Sequence, residues 1–499
     1  MVVVGVQSGA ASADSQREAG ATALVLTGTQ RAAAVQEAQA GAAATAKAIG
    51  LSDQEKLVVR DVVKDADGTV HTRYERTYEG LPVLGGDLVV HQKKNGSRAT
   101  TKATTARISV PSTEAKAPAA TAKSTARKVI WAATGKPALA WETVVTGVQH
   151  DGTPSERHVI TDAATGKELY AYEAIETGVG NTQYSGQVTL GTSPSFTLTD
   201  AARGGHKTYD LNGGTNGTGS LFTNGTDTWG NGLATNRETA AADAHYGAAV
   251  TWDFYKNELG RNGIRGDGVA AYSRVHYGNA YVNAFWSDSC FCMTYGDGAG
   301  NLKPLTSLDV AGHEMSHGLT AATAGLRYSK ESGGLNEATS DILGTSVEFY
   351  AGSTADAGDY LIGEKIDIRG NGTPLRYMDK PSKDGNSADY WSSSVGRLDV
   401  HYSSGPANHF FYLLSEGSGT KTINGVVHSS ATYDGSTLTG IGRAKAYKIW
   451  YKALSTYMTS STNYAGARTA TLQATADLYG ATSAEYTAVA NTWTAINVK

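Results

Sequence analysis

The chain runs to 499 residues with only two cysteines, a charged fraction of 18% and a formal net charge of −4. Each shortage excludes something. Cys290 and Cys292 stand either side of Phe291, so the C-x-x-C spacing of redox and zinc sites is missing. A C-x-C pair closes a very small ring when oxidised, and both a local disulfide and two unpaired thiols stay open. Without a basic excess there is no cationic surface for nucleic acid or an anionic membrane. No stretch approaches the roughly eighteen consecutive apolar residues of a membrane-spanning helix. A hydrophobic fraction of 40% with 59 glycines describes a loop-rich folded protein rather than a disordered one. The N-terminus lacks the basic start of a full export signal. Met1–Val6 is nevertheless apolar and Ala11-Ser12-Ala13 has the A-x-A form of a cleavage site, so residues 1–13 read as the remnant of a signal peptide and secretion is expected.

What is present is one short pattern. His313-Glu314-Met315-Ser316-His317 spells H-E-x-x-H. Residues four apart on a helix share a face, so both imidazoles can reach one metal ion with Glu314 beside them. The pattern arises by chance in roughly one chain in a hundred of this length, so its surroundings decide. Leu308, Ala311, Met315 and Leu319 form an apolar stripe at helical spacing, which makes the segment a core helix with its histidines on another face. Zinc needs a third protein ligand. The run Gly333-Gly334-Leu335-Asn336-Glu337-Ala338-Thr339-Ser340-Asp341 opens a second helical pattern in which Glu337 and Asp341 are again four apart. One carboxylate can then ligate zinc while the other accepts the spare N–H of a ligand imidazole.

Along the rest of the chain, residues from about 20 to 50 are alanine-rich and helical in tendency, and His71–His91 alternates like strands around Leu81-Pro82. Ser112–Lys128 is rich in Ala, Thr, Lys and Pro and reads as a linker or weak helix. Leu139–Val145 and Arg157–Leu169 read as strand, turn and strand, and short β-like runs continue from Thr177 to Asn236. Arg237–Leu259 is a long helical pattern. Beyond His401 the pattern reads as almost wholly helical, over Asn408–Ser415, Ile441–Tyr457, Tyr464–Leu478 and Ser483–Ile496. The H-E-x-x-H helix therefore joins a β-rich lobe to a helical one in an α+β fold, and the cleft between them is the expected substrate groove.

H-E-x-x-H followed by Asn336-Glu337-Ala338-Thr339-Ser340-Asp341 resembles the thermolysin family of secreted neutral metalloendopeptidases. Further matches follow in the family's order at Asp243-Ala-His-Tyr, Val275-His-Tyr-Gly, Asn283-Ala-Phe-Trp, Tyr295-Gly-Asp-Gly, Val347-Glu-Phe-Tyr, Leu375-Arg, Val400-His and Asp477-Leu-Tyr-Gly. The metzincin pattern is excluded, because Thr320 and Thr323 stand where it requires Gly and His.

The resemblance implies a zymogen. Residues 14–111 and 129–176 become two pro-region modules around a linker at 112–128, acting as intramolecular inhibitor and folding aid. Residues 177–323 become the β-rich catalytic lobe and 324–499 the helical lobe. It implies one Zn²⁺ held by His313, His317 and Glu337, with Glu314 as general base and proton shuttle and Asp341 orienting a ligand imidazole. Tyr328 and His401 would stabilise the oxyanion. Asp399 would orient His401, although the family's type enzyme carries that Asp farther upstream, at the position of Gly396 here. Asn283 and the Ala284 carbonyl would hold the substrate backbone and Arg376 a substrate carbonyl. Leu302, Leu305, Val310, Ile362, Ile366 and Leu375 would wall the pocket for the residue after the scissile bond, which predicts large hydrophobic residues there and a mature N-terminus at Ile175 or Val179. Asp309, Glu348, Asp359 and Glu364 imply structural Ca²⁺. Three extra residues before Asp359, and Leu361 in place of an acid, reduce the expectation to one ion; the loop Ile366–Leu375 also lacks the late carboxylate of a further site. His245, His276, His409 and the pro-region histidines are read as structural, the last for want of a carboxylate partner at metal spacing. Substrates are expected to be proteins and peptides, with no nucleic acid or membrane partner, and the enzyme a monomer. The competing readings are a catalytically silent peptide-binding protein and an exopeptidase of the same zinc class.

Overall fold

The computed structural model describes residues 24, 26, 28–104, 106–115, 124–148, 154–173 and 177–499. The expected signal remnant at 1–13 and the junction residue Ile175 lie outside the described residues. Contacts divide the chain into two units, Met1–Ile175 and Glu176–Lys499.

In the first unit the alanine-rich helices α1 (Gly28–Ala40) and α2 (Ala42–Ala48) pack Ala34, Ala42 and Ala46 on Leu57, Val59, Val62 and Leu88. The strands are β1 (Glu55–Lys64), β2 (Val70–Tyr78), β3 (Leu81–Leu84), β4 (Leu88–Gln92), β5 (Arg98–Lys102), β6 (Ser124–Trp131), β7 (Ala138–Val148), β8 (Pro154–Asp162) and β9 (Glu168–Glu173). They form one sheet in the order β5-β4-β2-β3-β6-β7-β8-β9, with β1 on β2. One expectation fails here. Ser124–Lys128, read as linker, opens strand β6, because its pairing with β7 from Ser124↔Val145 to Trp131↔Ala138 overrides a composition poor in strand formers. Two histidines of this unit each meet one carboxylate: His71 Nε2 lies 2.9 Å from Asp65 Oδ2 and His158 Nδ1 2.7 Å from Glu142 Oε1. Pairing of neighbouring strands makes these contacts, and they do not extend to a three-ligand cluster among the described residues.

The second unit opens with β10 (Thr177–Asn181), β11 (Gln187–Gly191), β12 (Thr199–Asp200), β13 (His206–Asp210), β14 (Ser220–Leu221) and β15 (Thr228–Trp229). Helix α3 (Arg237–Leu259) follows, started by the Asn236 side chain accepting from Glu238 N and stopped at Gly260 with φ 65°. Then come β16 (Tyr272–Val275), β17 (Ala284–Ser287) and β18 (Cys292–Tyr295). The larger sheet has the order β12-β13-β16-β18-β17, so one side of β17 is a free edge within it. Cys290 and Cys292 are disulfide-bonded, closing the turn between β17 and β18.

Helices α4 (Leu308–Ala321) and α5 (Lys330–Ala351) cross at two glycines. A Cβ on Gly344 would lie 2.5 Å from the Asp309 carbonyl, and one on Gly312 would lie 3.0 Å from Gly344 Cα. Only glycines allow backbones this close, and the close approach is what carries Glu337 to the histidines of α4. The short strands β19 (Leu361–Ile362) and β20 (Arg376–Tyr377) pair beside them. The helical lobe is completed by α6 (Val400–Ser403), α7 (Gly405–Glu416), α8 (Arg443–Thr456), α9 (Tyr464–Tyr479) and α10 (Ala484–Ala495). Phe410 of α7 stacks on Trp493 of α10 at 4.0 Å between ring centroids. The lobe is not all helix, however. β21 (Gly419–Ile423) and β22 (Val426–Ser430) form a hairpin, turned at Asn424 (φ 45°) and Gly425 (φ 89°). Asn-Gly between alternating strand formers is a strong hairpin signal, and it outweighs the surrounding helical pattern.

Candidate active site

Helix α4 presents His313, Glu314 and His317 to the cleft and α5 presents Glu337. The two histidine Nε2 atoms are 3.1 Å apart, and the Glu337 oxygens stand 3.6 Å from His313 Nε2 and 3.4 Å from His317 Nε2. Ligands of a tetrahedral zinc at bond lengths near 2.0–2.1 Å lie roughly 3.3 Å from one another, so the spacing fits that ion. The ring tautomers agree. His313 Nδ1–H donates to Asp341 Oδ1 at 2.9 Å and His317 Nδ1–H to Asn336 Oδ1 at 2.7 Å, while Asn336 is held in that orientation by its Nδ2 donating to the Leu326 carbonyl at 2.9 Å. In neutral rings both Nε2 atoms are then lone pairs facing each other. Glu337 Oε2 is buried with no hydrogen-bond partner. A cation among the three relieves both problems. The same negative surroundings act on His313: burial opposes its charged form, yet the bond to Asp341 and the charges of Glu337 and Asp341 push its pKa up to about 9.

Asp341 is itself fully buried. Burial raises its pKa, but the Arg376 guanidinium and His313 hold it well below the usual carboxylate range. Arg376 Nε and one terminal nitrogen donate to its two oxygens at 2.8 and 2.6 Å, and Asn408 Nδ2 donates at 2.8 Å. Glu314, also buried, has its pKa raised by burial, with His313 and His317 pulling the other way. Across the cleft, Tyr328 OH donates to Glu337 Oε1 and lies 3.2 Å from His401 Nε2. Burial and then Glu337 keep this phenol protonated far above the usual tyrosine range. Asp399 accepts from His401 Nδ1 at 2.7 Å and from the His401 backbone N–H at 3.0 Å, which lowers its pKa.

The cleft has a volume of about 730 Å³, and His313, Glu314, His317, Glu337, Tyr328 and His401 line it together with Asn283, Ala284 and Arg376. Asp341 and Asp399 stand behind those residues. Of the six expected pocket residues, Leu305, Val310, Ile362 and Leu375 line the wall, joined by Ile368. Leu302 instead faces solvent at 54% exposure and Ile366 is buried in the core at 1%; both lie in irregular segments, where no periodicity tells inward from outward. Sequence reading also missed Asn336 and Asn408, polar partners that helix packing delivers, and Trp286, which lines the cleft. His245, His276 and His409 are packed, bonding to Thr208 and Gly191, to Asp297, and to Asp389 and Ser430 respectively.

Behind α4 and α5, carboxylate oxygens of Asp309, Glu348 and Glu364 converge within 4.8 Å of one another. The Asp359 N–H donates to Glu348 Oε2 at 3.0 Å, and its own carboxylate accepts from Leu361 N at 2.7 Å. Asp356, from the segment with extra residues, joins this group unforeseen. Burial first, and the neighbouring Asp309 charge, push pKa values up to about 7 at Asp356 and about 10 at Glu364. At Asp359 burial and Asp309, opposed by the Leu361 amide, leave a value of about 6. Glu348 Oε1, Asp356 Oδ2 and Glu364 Oε2 are buried without partners, a set that suits a hard divalent cation. In the loop after Ile366, by contrast, the Lys303 ammonium bonds the Asp367 carbonyl and carboxylate at 2.9 Å each.

Residues 177–321 match the thermolysin metallopeptidase catalytic domain, and residues 324–498 match the family's alpha-helical domain. The chain belongs to the thermolysin metallopeptidase family. Residues 55–97 match the fungalysin/thermolysin propeptide motif. The transglutaminase-activating metalloprotease of Streptomyces mobaraensis is 58% identical over 533 residues, covering 100% of this chain and 70% of that protein. A thermolysin of Alicyclobacillus acidocaldarius subsp. acidocaldarius is 37% identical over 486 residues, covering 87% of this chain and 85% of its own length. The solved precursor of protealysin from Serratia proteamaculans is similar over 62% of this chain and 90% of its own, at 28% identity and a TM-score of 0.45. As a thermolysin-family protein the chain is a metalloendopeptidase with a propeptide motif, and its family implies a catalytic zinc. Among the described residues no helix is long and apolar enough to cross a membrane.

Proposed function

We propose that the chain is a secreted, calcium-stabilised zymogen whose mature part, after residue 174, cleaves peptide bonds on the amino side of large aliphatic or aromatic residues. The observation that carries this reading is the apolar wall of Leu305, Val310, Ile362, Ile368 and Leu375 in the same cleft as His313, Glu314, His317 and Glu337. A zinc ion held by His313, His317 and Glu337 supplies Lewis acidity towards the scissile carbonyl and towards water. Glu314 takes a proton from the attacking water and returns it to the leaving amine; burial makes its carboxylate a stronger base. Tyr328 OH and His401 Nε2–H donate to the carbonyl oxygen as it becomes negative, with Asp399 holding the imidazole in place. Asn283 and Ala284, at the free edge of β17, hold the substrate backbone as an added strand. Arg376, anchored on Asp341, offers its remaining N–H groups to a substrate carbonyl.

Burying a leucine side chain against the wall is worth about 2 kcal/mol, roughly a thirtyfold preference over glycine. Mature enzyme acting on a random peptide library should therefore cut inside the peptides, before Leu, Ile or Phe. Preference for small or charged residues at that position, or stepwise release of terminal residues, would overturn the reading. The same rule applies to the enzyme's own junction. Val179 is the poorer candidate, because β10 pairs with β11 on one side and β15 on the other, and the Val179 N–H donates to the Asp227 carbonyl at 3.0 Å. A cut before it would require the strand to be peeled out, which leaves Ile175. The segment matching the propeptide motif is proposed to inhibit and assist folding in cis before that cut.

Calcium is proposed to bind Asp309, Glu348, Asp356, Asp359 and Glu364. Without it, the folded pKa values of about 7, 6 and 10 at Asp356, Asp359 and Glu364 exceed the unfolded values near 4. The folded state then binds more protons, and stability present below about pH 4 is lost as pH rises through those values. In EGTA, with zinc retained, Tm should fall steadily between about pH 5 and pH 9. A hundredfold excess of calcium over its Kd should restore about 2.7 kcal/mol, on the order of 5 °C. Differential scanning calorimetry across pH and calcium concentration checks this; a Tm indifferent to calcium would remove the ion from the proposal.

A further inference from the structure

Asp288 follows directly on β17 and lines the cleft beside Asn283, Ala284, Phe285 and Trp286. Its Oδ1 accepts from the Trp286 indole N–H at 2.7 Å, and among the described residues no lysine or arginine pairs with it. Arg265 is engaged elsewhere, over the Phe291 ring at 3.7 Å from its centroid. The other two carboxylates of the cleft lining, Glu314 and Glu337, are buried among the histidines, whereas Asp288 is exposed.

Its position along the groove follows from the indole. The Trp286 indole packs against Gly318 of α4, where a Cβ would come within 2.6 Å of the ring. Gly318 follows His317, whereas Val310, part of the apolar wall, precedes His313. Trp286 and Asp288 therefore mark one end of the groove and the apolar wall marks the other, with the metal-ligand set between them. This step rests on the proposed assignment of the apolar wall to the residue after the scissile bond; the Asp288 end then receives the residues before it. We infer that Asp288 makes the enzyme select a lysine or arginine on the amino-terminal side of the bond it cuts. A substrate strand laid along the β17 edge brings side chains past its end, and the unshared carboxylate oxygen is free to meet a cationic one.

The test uses mature enzyme and matched peptides that share Leu after the scissile bond and carry Lys, Gln or Glu at each of the three positions before it. Wild type should show kcat/KM about two- to fivefold higher for Lys than for Gln at one of those positions, the scale of an exposed ion pair, and the ratio should shrink as salt is added. Asp288→Asn, which keeps an acceptor for the Trp286 indole, should bring the ratio to one, and Asp288→Lys should invert the order to favour Glu. Both variants should keep the preference for Leu over Gly after the scissile bond, which reports on the apolar wall separately. A wild type without any Lys preference, or one that persists in both variants while the Leu preference stands, would overturn the inference. A preference that depends on Asp288 but maps after the scissile bond would overturn the direction of binding, and with it the assignment of the wall.

Discussion

The Glu314→Ala enzyme is expected to keep its fold and its zinc and to lose about 10²–10⁴-fold in kcat, the range of a positioned general acid–base group. The argument for retained structure is local. Glu314 is buried at 6% exposure and burial disfavours its charge, so removing it takes away a group that the folded state tolerates at a cost. The ligand atoms of His313, His317 and Glu337 take their orientation from Asp341, Asn336 and Tyr328 instead. Metal content by atomic absorption and Tm should therefore stay near wild type while turnover collapses. The variant should also remain unprocessed when purified alone, and added mature enzyme should release a chain beginning at Ile175. Near-wild-type turnover would remove Glu314 from the chemistry. Normal maturation of the isolated variant, or a start elsewhere by N-terminal sequencing, would show that the junction is not cut by the enzyme itself.

Removal of zinc is expected to have an effect of similar size by a different route. Treatment with 1,10-phenanthroline should abolish peptidase activity, because Lewis acidity and the activation of water both depend on the metal. Stoichiometric zinc should restore activity and calcium should not, since the oxygen-only cluster around Asp309 and the His₂Glu set suit different ions. Far-UV circular dichroism should change little: the core of the second unit, with Phe410, Trp450 and Trp493 fully buried, is held by apolar packing that does not depend on the metal. Activity that survives the chelator but falls to a serine-directed reagent would redirect the search to another nucleophile.

How much of this was legible beforehand depends on the distance along the chain over which each feature is encoded. The pair His313 and His317 needs only one helical turn, and the helix itself is announced by an apolar stripe of neighbours. Arg237–Leu259 is bounded by a cap and a glycine that any reader of the sequence can see. The β21–β22 hairpin is equally local: its Asn424-Gly425 turn is a hairpin signal that the helical texture around it obscures. The linker reading of Ser124–Lys128 failed for the opposite reason: nothing in that segment marks a strand until β7 lies alongside.

The sequence by itself determined the family, the α+β class and the identity of the metal-binding pattern, because those rest on residue types at short fixed spacings. Only the tertiary structure decided which remote groups meet. The crossing at Gly312 and Gly344 brings Glu337 and Asp341 to the histidines, and Asn336 and Asn408 arrive with them as partners that no spacing announces. Asp356 enters the carboxylate cluster through a loop whose path depends on what it packs against. Ile366 turns inward and Leu302 outward for the same reason, and the sulfurs of Cys290 and Cys292 meet because the β17–β18 turn folds back. Side-chain periodicity follows from the backbone of a single element, whereas convergence of loops follows from the packing of several, and that balance of contacts is not written in any one of them.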